Sequence, residues 1–141
     1  MVRVADFVVP TVGPLTEAFA VAASGPTVAI TEQRRTGVTI VDVAAGRVVA
    51  QHAGPVDGVA IDGGRIWLVG GRAADSLVAL DPASGDPVAA YRVPREAALP
   101  APSGPSTGTN VGLHRLVAAG GGTFYVAQPH MGRVVEVTVP G

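Results

Sequence analysis

Two amino acids that support much enzyme chemistry, cysteine and lysine, are missing from the 141-residue sequence. Without cysteine the chain can form no disulfide, no thiolate nucleophile and no Cys-ligated zinc site. Without lysine it can form neither the lysine contact of a phosphate-binding P-loop nor a Schiff base. All ten basic residues are arginine, a composition typical of a GC-rich genome such as an actinobacterial one.

Strong net charge and long apolar runs are missing as well. The net charge is −1 at pH 7, so no electrostatic field favours nucleic acid as a partner. No apolar run reaches the roughly 20 residues needed to span a bilayer. Asp6 interrupts residues 1–10, where a signal peptide needs an unbroken apolar region. We therefore expect no nucleic-acid partner, no membrane span and no signal peptide in this sequence.

Apolar residues are nevertheless abundant, at 48% of the chain, and they occur as Val- and Ala-rich segments of a few residues. The chain also has 19 glycines and 12 prolines, which favour tight turns between these segments. No segment shows the three- and four-residue apolar spacing of an amphipathic helix over a dozen residues. The sequence therefore predicts an all-β protein with many short strands, in a single domain over residues 1–141.

The segments repeat. The turn sequences Asp42–Gly46 and Asp81–Gly85 lie 39 positions apart, and each follows an apolar alternation, GVTIVD at 37–42 and SLVALD at 76–81. A third alternation, RVVEVT, occupies 133–138. Three copies in the same order indicate an internal repeat of about 40 residues. A further apolar run precedes each alternation: TVAIT at 27–31, RIWLV at 65–69 and TFYVA at 123–127.

Each repeat is predicted to contain four strands, a to d in chain order. The first unit covers residues 17–52, the second 55–94, and the third, 111–139, lacks strand d. A strand d is predicted within residues 2–10 instead, because VADFVVP there matches VAAYRVP at the end of the second unit. Residues 95–110, rich in Pro, Ser, Gly and Thr, form a loop insertion. The strand order is therefore d-abcd-abcd-abc.

Repeats of this length, each a four-stranded antiparallel meander, are typical of the blades of a β-propeller. Natural propellers have about four to eight blades, so three cannot close a ring. Three interpretations follow. The chain is part of a larger propeller, which we favour; or copies associate, for example two chains into six blades; or the strands form an ordinary β-sandwich.

The central sequence resembles a known group of repeats. GPVDGVAIDGGRIWLVGG at 54–71, followed by SLVALDPASGDPVAAYRVP at 76–94, is similar to the blades of bacterial YVTN/YncE-like, NHL-like and virginiamycin B lyase-like propellers. The resemblance implies a propeller fold, and it rests on blade motifs that proteins of unrelated function share. Some of these families are enzymes, but no segment here matches their sites. The resemblance therefore implies no catalytic residue, metal or cofactor.

Polar residues on strand a are the candidates for a site, because strand a lines the central channel of a propeller. Alignment through strand b places Phe19, Asp57 and Arg115 in one column and His114 in the next. One interpretation is that Asp57 and Arg115 form a polar pair that binds a small ligand or ion. The alternative is a salt bridge or solvated loop ends, which are common and contribute little energy. His114 is predicted to face the channel.

Other conspicuous residues fit structural roles better. Trp67, in the middle of strand b, is expected to pack in the core or between blades rather than to stack on a ligand. His52 aligns with Tyr91 in strand d, and His130 is expected in a solvated connection, so neither predicts a metal ligand. Asp42 and Asp81 recur at the same repeat position, which predicts turn formers rather than catalytic carboxylates.

The sequence as a whole favours a non-catalytic binding or scaffold module of a propeller. Its expected partners are a protein or small molecule at the channel face, or further copies that meet through open blade edges. The alternative is a fragment of a propeller enzyme, of the lyase, lactonase or quinoprotein-like type, whose active site other blades complete. The 95–110 loop either covers the ligand face or is a neutral change in length.

Overall fold

The computed structural model describes six stretches of the chain: residues 18–32, 37–54, 56–70, 76–93, 115–128 and 133–140. These stretches contain eleven strands and no helix. The strands are β1 (Ala18–Ser24), β2 (Thr27–Glu32), β3 (Gly37–Asp42), β4 (Arg47–Ala53), β5 (Gly58–Asp62), β6 (Arg65–Gly70), β7 (Ser76–Leu80), β8 (Pro87–Arg92), β9 (Arg115–Gly120), β10 (Thr123–Gln128) and β11 (Arg133–Thr138).

The strands form three antiparallel meanders, which we call blades 1, 2 and 3. Blade 1 has the order β1-β2-β3-β4 and blade 2 the order β5-β6-β7-β8. Blade 3 contains β9, β10 and β11, with β10 in the middle and, among the described residues, no fourth strand. The all-β prediction is confirmed. The predicted strand within residues 2–10 and the 95–110 loop lie outside the described residues.

The turn before each fourth strand is built by an aspartate, as its sequence predicts. Asp81 Oδ1 accepts hydrogen bonds from the backbone N–H groups of Ala83, at 2.7 Å, and Ser84, at 3.3 Å. Asp42 Oδ1 accepts one from Ala45 N–H at 3.0 Å. Gly85 ends the turn at a φ of +75°, which favours glycine. Asp42 and Asp81 therefore hold turns.

Blade 2 is covered on both faces. Neighbouring residues of its strand β6 point to opposite faces, and both sets of residues are buried. Ile66 and Leu68 belong to one buried cluster, shared with Ala29, Val38 and Ile40 of blade 1. Trp67 and Val69 belong to a second cluster, shared with blade 3. The blade 3 members of that cluster are Leu116, Phe124, Val126, Val137 and Val139. Two inter-blade cores therefore hold the three blades together.

The blades are arranged radially. Strand β5, the first of blade 2, contacts both β1 and β9, the first strands of the other two blades. The first strand of every blade therefore lies on the inside and later strands lie outward, as in a β-propeller. Three blades in this arrangement form an open, incomplete ring.

Trp67 is the largest side chain in the core between blades 2 and 3. Its ring centroid lies 4.7 Å from that of Phe124 in blade 3 and 6.1 Å from that of Tyr91 in its own blade. Its indole N–H donates a hydrogen bond to the carbonyl oxygen of Asp62 at 3.1 Å. Of the two packing roles that the sequence predicts, in the core or between blades, Trp67 fills both, because it lies in the core that blades 2 and 3 share.

Candidate functional site at the inner strands

Asp57 lies immediately before inner strand β5 and is almost fully buried, with 3% of its surface exposed. Its backbone N–H donates to the carbonyl oxygen of Val69 at 2.8 Å, which extends the pairing of β5 with β6 by one residue. Val56 before it is also buried. Because a carboxylate is costly to bury, an acidic residue in this position is a candidate for a site residue.

Arg115 begins the neighbouring inner strand β9, and its backbone pairs with Ala127 of β10. Ala127 is the counterpart of Val69 in blade 2, and Val69 pairs with Gly58. Arg115 therefore corresponds to Gly58, and the predicted alignment of Arg115 with Asp57 is wrong by one residue. The position that corresponds to Asp57 is 114, and His114 itself lies outside the described residues.

The shift arises from a β-bulge at the start of β10. Thr123 pairs with Gly120 while the next residue, Phe124, pairs with Ala118, so one residue of β9 is unmatched. The glycines of this turn, 120, 121 and 122, have φ values of +93°, +64° and +81°. The run of three glycines is the one sequence signal that indicates this irregular turn.

At the other end of β5 a carboxylate links two blades, although no motif in the sequence distinguishes it. Asp62 Oδ2 accepts a hydrogen bond from the backbone N–H of Gly122 at 3.0 Å. Asp62 ends an inner strand of blade 2, whereas Gly122 belongs to the turn of blade 3. The hydrogen bond therefore links the end of β5 in blade 2 to the turn between β9 and β10 in blade 3.

Replacing Asp62 with alanine should lower the free energy of unfolding by about 1–2 kcal/mol, because the Gly122 N–H loses a charged acceptor. Chemical denaturation followed by circular dichroism measures the loss. Asp86→Ala, a change at an exposed acid of the same blade, is the matched control and should stay within about 0.5 kcal/mol. Equal losses in both variants would contradict an inter-blade role for Asp62.

A second polar pair lies on the exposed side of blade 3. The Tyr125 hydroxyl donates to Glu136 Oε2 at 2.9 Å across strands β10 and β11. The hydrogen bond to Glu136 and the negative charge of that carboxylate raise the pKa of Tyr125 above its ordinary value of 10.0. Folding therefore favours the protonated phenol.

This shift has a defined pH dependence. Because the folded pKa of Tyr125 is raised, the pair stabilises the fold below about pH 10 and loses its contribution as the pH rises through the folded pKa. Tyrosinate absorbance measures the pKa, with Tyr91→Phe as the background that removes the other tyrosine. Glu136→Gln should lower the pKa of Tyr125 towards 10.0. An unchanged titration curve would show that Glu136 does not control it.

The described stretches of the chain contain no group of three or more His, Cys, Asp or Glu side chains placed to hold a metal ion. In the same stretches no helix is long and apolar enough to cross a membrane. The sequence candidates Asp57 and Arg115 lie near the starts of adjacent inner strands, β5 and β9, one register position apart, and His114 lies outside the described residues.

Comparison with known proteins supports the fold. No family model and no curated protein matches the sequence. Among solved structures, BamB from Moraxella catarrhalis is similar over 84% of this chain, with a TM-score of 0.56 and 16% identity. Glutaminyl cyclase from Myxococcus xanthus is similar over 86%, with a TM-score of 0.59 and 17% identity. Both are β-propeller proteins.

The two neighbours are longer than this chain, which spans 33% of the BamB chain and 47% of the glutaminyl cyclase chain. At such low identity the similarity shows the propeller fold alone. The narrower resemblance to YVTN/YncE-like, NHL-like or virginiamycin B lyase-like repeats remains a prediction from the sequence.

Proposed function

We propose that this chain is a binding and scaffold module of a larger β-propeller, with its ligand-facing site at the channel end of the inner strands. The observation that supports the proposal is the placement of β5 between β1 and β9, which brings the starts of neighbouring inner strands to one end of the ring. Ligand sites in repeat and barrel folds occur at such mouths, where loops from several units converge.

Asp57 precedes inner strand β5, and Arg115 begins the neighbouring inner strand β9. Asp57 is held in place by the pairing of its backbone with Val69, and Arg115 by its pairing with Ala127. Rigid strands place such residues more precisely than loops do. His114, which precedes Arg115 in the sequence, lies outside the described residues and stays a candidate from the sequence alone. The proposed ligand is a small polar molecule, or a charged side chain of a protein partner, that binds at this end of the ring.

Two-dimensional amide NMR tests this site with simple ionic probes. Inorganic phosphate serves as the anionic probe and Ca²⁺ as the cationic probe, each titrated separately into the full chain. We expect at least one probe to shift the amides of residues 56–58 and 115–117, and Asp57→Asn or Arg115→Ala to abolish the shifts. Shifts confined to the outer strands β4 and β8, or none with either probe, would contradict the proposed site.

A further inference from the structure

The side of blade 3 that points away from blade 2 is exposed. Val117 in β9 is 61% exposed, Tyr125 in β10 is 40% exposed and Val134 in β11 is 65% exposed. Tyr125 pairs directly with Val117 on one side and with Glu136 on the other, so their side chains share this side of the sheet. Val134, two residues before Glu136 on the same strand, shares it as well. We call these four residues the open face of blade 3.

The repeat shows how this face differs from the two that receive a blade. Glu136 pairs with Tyr125, and its counterpart Ala79 in blade 2 pairs with Trp67. The same position in blade 1 is Ile40. Ile40 and Ala79 are 1% and 0% exposed, and each belongs to the core that its blade shares with the next. Blade 3 therefore carries an exposed charge where both inter-blade faces carry a buried apolar residue.

Glu136 determines what kind of surface can cover the open face. The Tyr125 hydroxyl donates to Glu136 Oε2 at 2.9 Å. This hydrogen bond orients the carboxylate, but the phenol is neutral, so the negative charge remains. Covering a carboxylate without a counter-charge is strongly unfavourable, because the carboxylate loses its hydration. A surface that brings a cation to Glu136 is therefore favoured over an apolar one.

Arginine suits this face better than lysine does. Its planar guanidinium bonds a carboxylate through two N–H groups and also stacks on aromatic rings. The hydrogen bond between Tyr125 and Glu136 places a ring and a carboxylate side by side. Val117, across from Tyr125, and Val134, beside Glu136, flank this pair with exposed apolar surface. The face thus combines one site for a guanidinium with apolar contacts on both sides of it.

We propose that the open face of blade 3 is a docking surface for a partner protein, which places one arginine against Glu136 and Tyr125 and apolar side chains against Val117 and Val134. The inference rests on the proposed role as a propeller module, because the partner takes the place in the ring that follows blade 3. The partner is a separate chain, since both faces that receive a blade within this chain are apolar at the position of Glu136. The charge makes the face selective, because it disfavours apolar and acidic surfaces.

A short peptide serves as the probe of this surface. The acetylated and amidated peptide Thr-Val-Arg-Val-Thr places an arginine between two valines, and the matched peptide has glutamine in place of the arginine. Each is titrated into the full chain, and the amide NMR spectrum is recorded. We expect the arginine peptide to shift the amides of residues 124–126 and 134–136. The glutamine peptide should bind about tenfold more weakly, because it lacks the charged hydrogen bonds to Glu136.

Substitutions at Glu136 test the charge directly. Glu136→Gln should weaken binding of the arginine peptide by about tenfold. Glu136→Arg should reverse the preference, so that the chain binds the peptide Thr-Val-Glu-Val-Thr instead. Asp86→Asn is the matched control, because it removes one negative charge at an exposed acid of blade 2 and should bind like the wild type. Circular dichroism verifies that the variants are folded, as expected for changes at exposed positions.

The phenol of Tyr125 reports the contact independently. Glu136 raises the pKa of Tyr125 above 10.0, and an arginine paired with Glu136 should lower this pKa by neutralising the carboxylate. The guanidinium keeps its charge over the whole titration. Tyrosinate absorbance measures the pKa in the Tyr91→Phe background. A pKa of Tyr125 that the arginine peptide and the glutamine peptide change equally would overturn the placement of the arginine.

The remaining outcomes separate this proposal from the proposed function. Equal binding of the two peptides, or no shift at 124–126 and 134–136 with either, would overturn the docking surface. If phosphate or Ca²⁺ still shifted the amides of residues 56–58, the module with its channel-end site would stand alone. Binding of the arginine peptide without any shift by the ionic probes would keep the docking surface and remove the channel-end site.

Discussion

Replacing Trp67 with alanine is expected to lower the free energy of unfolding by about 3–5 kcal/mol, the usual cost of truncating a buried aromatic residue. The side chain is 4% exposed and packs against two aromatic rings, Phe124 in blade 3 and Tyr91 in blade 2. Truncation would leave a cavity at the centre of the core between the two blades. It would also remove the hydrogen bond to the carbonyl oxygen of Asp62.

Denaturant titration read by circular dichroism measures this loss for Trp67→Ala. Val88→Ala is the control, because that side chain is 48% exposed and should change the stability by less than about 0.5 kcal/mol. Trp67→Phe separates the contributions, since it keeps a ring in the core but loses the indole N–H. If Trp67→Ala behaved like Val88→Ala, blades 2 and 3 would not share the core described here.

Replacing the preceding residue, Ile66, with alanine should cost about 2–5 kcal/mol. Ile66 is fully buried, at 0% exposure, in the other inter-blade core with Ala29 and Ile40 of blade 1. In a sheet with one solvated face, replacing two consecutive residues with alanine could not lower the free energy of unfolding strongly at both, because their side chains point to opposite faces. High costs at both Ile66 and Trp67 are therefore specific to a blade covered on both sides.

A graded series strengthens the test at this position. Ile66→Val removes one methylene group and should cost about 0.5–1.5 kcal/mol, well below the cost of Ile66→Ala. The same denaturant titration measures both variants. If neither variant changed the free energy of unfolding, the face of blade 2 that carries Ile66 would lie in solvent, and the core with blade 1 would be contradicted.

The strands and turns were predictable from the sequence because their causes are local. The alternation of apolar residues places Val78 and Leu80 on one face of β7, and both contribute to the core with blade 1. The Asp-x-x-x-Gly pattern at Asp81 and Gly85 predicts a turn through side-chain bonding and a positive φ, and both features are observed. The packing role of Trp67 follows from its place in an apolar strand.

The site was less predictable because it depends on register and on contacts distant in sequence. The β-bulge that moves Arg115 out of line with Asp57 adds one residue to a strand without changing its apolar pattern. The hydrogen bond from Gly122 N–H to Asp62 joins residues 60 positions apart. The exposure of Val117 and Val134 depends on which blade lies next to them, so no local pattern distinguishes them from buried strand residues.

Amide hydrogen exchange tests the central claim, that three blades form one body through two shared cores. The probes are Ala29, Leu68 and Val126, buried residues in the second strand of each blade. We predict similar opening free energies for all three amides, lowered by the same amount when Trp67 is replaced with alanine. If the substitution lowered protection in blades 2 and 3 but left Ala29 in blade 1 unchanged, the claim that the three blades form one body would be contradicted.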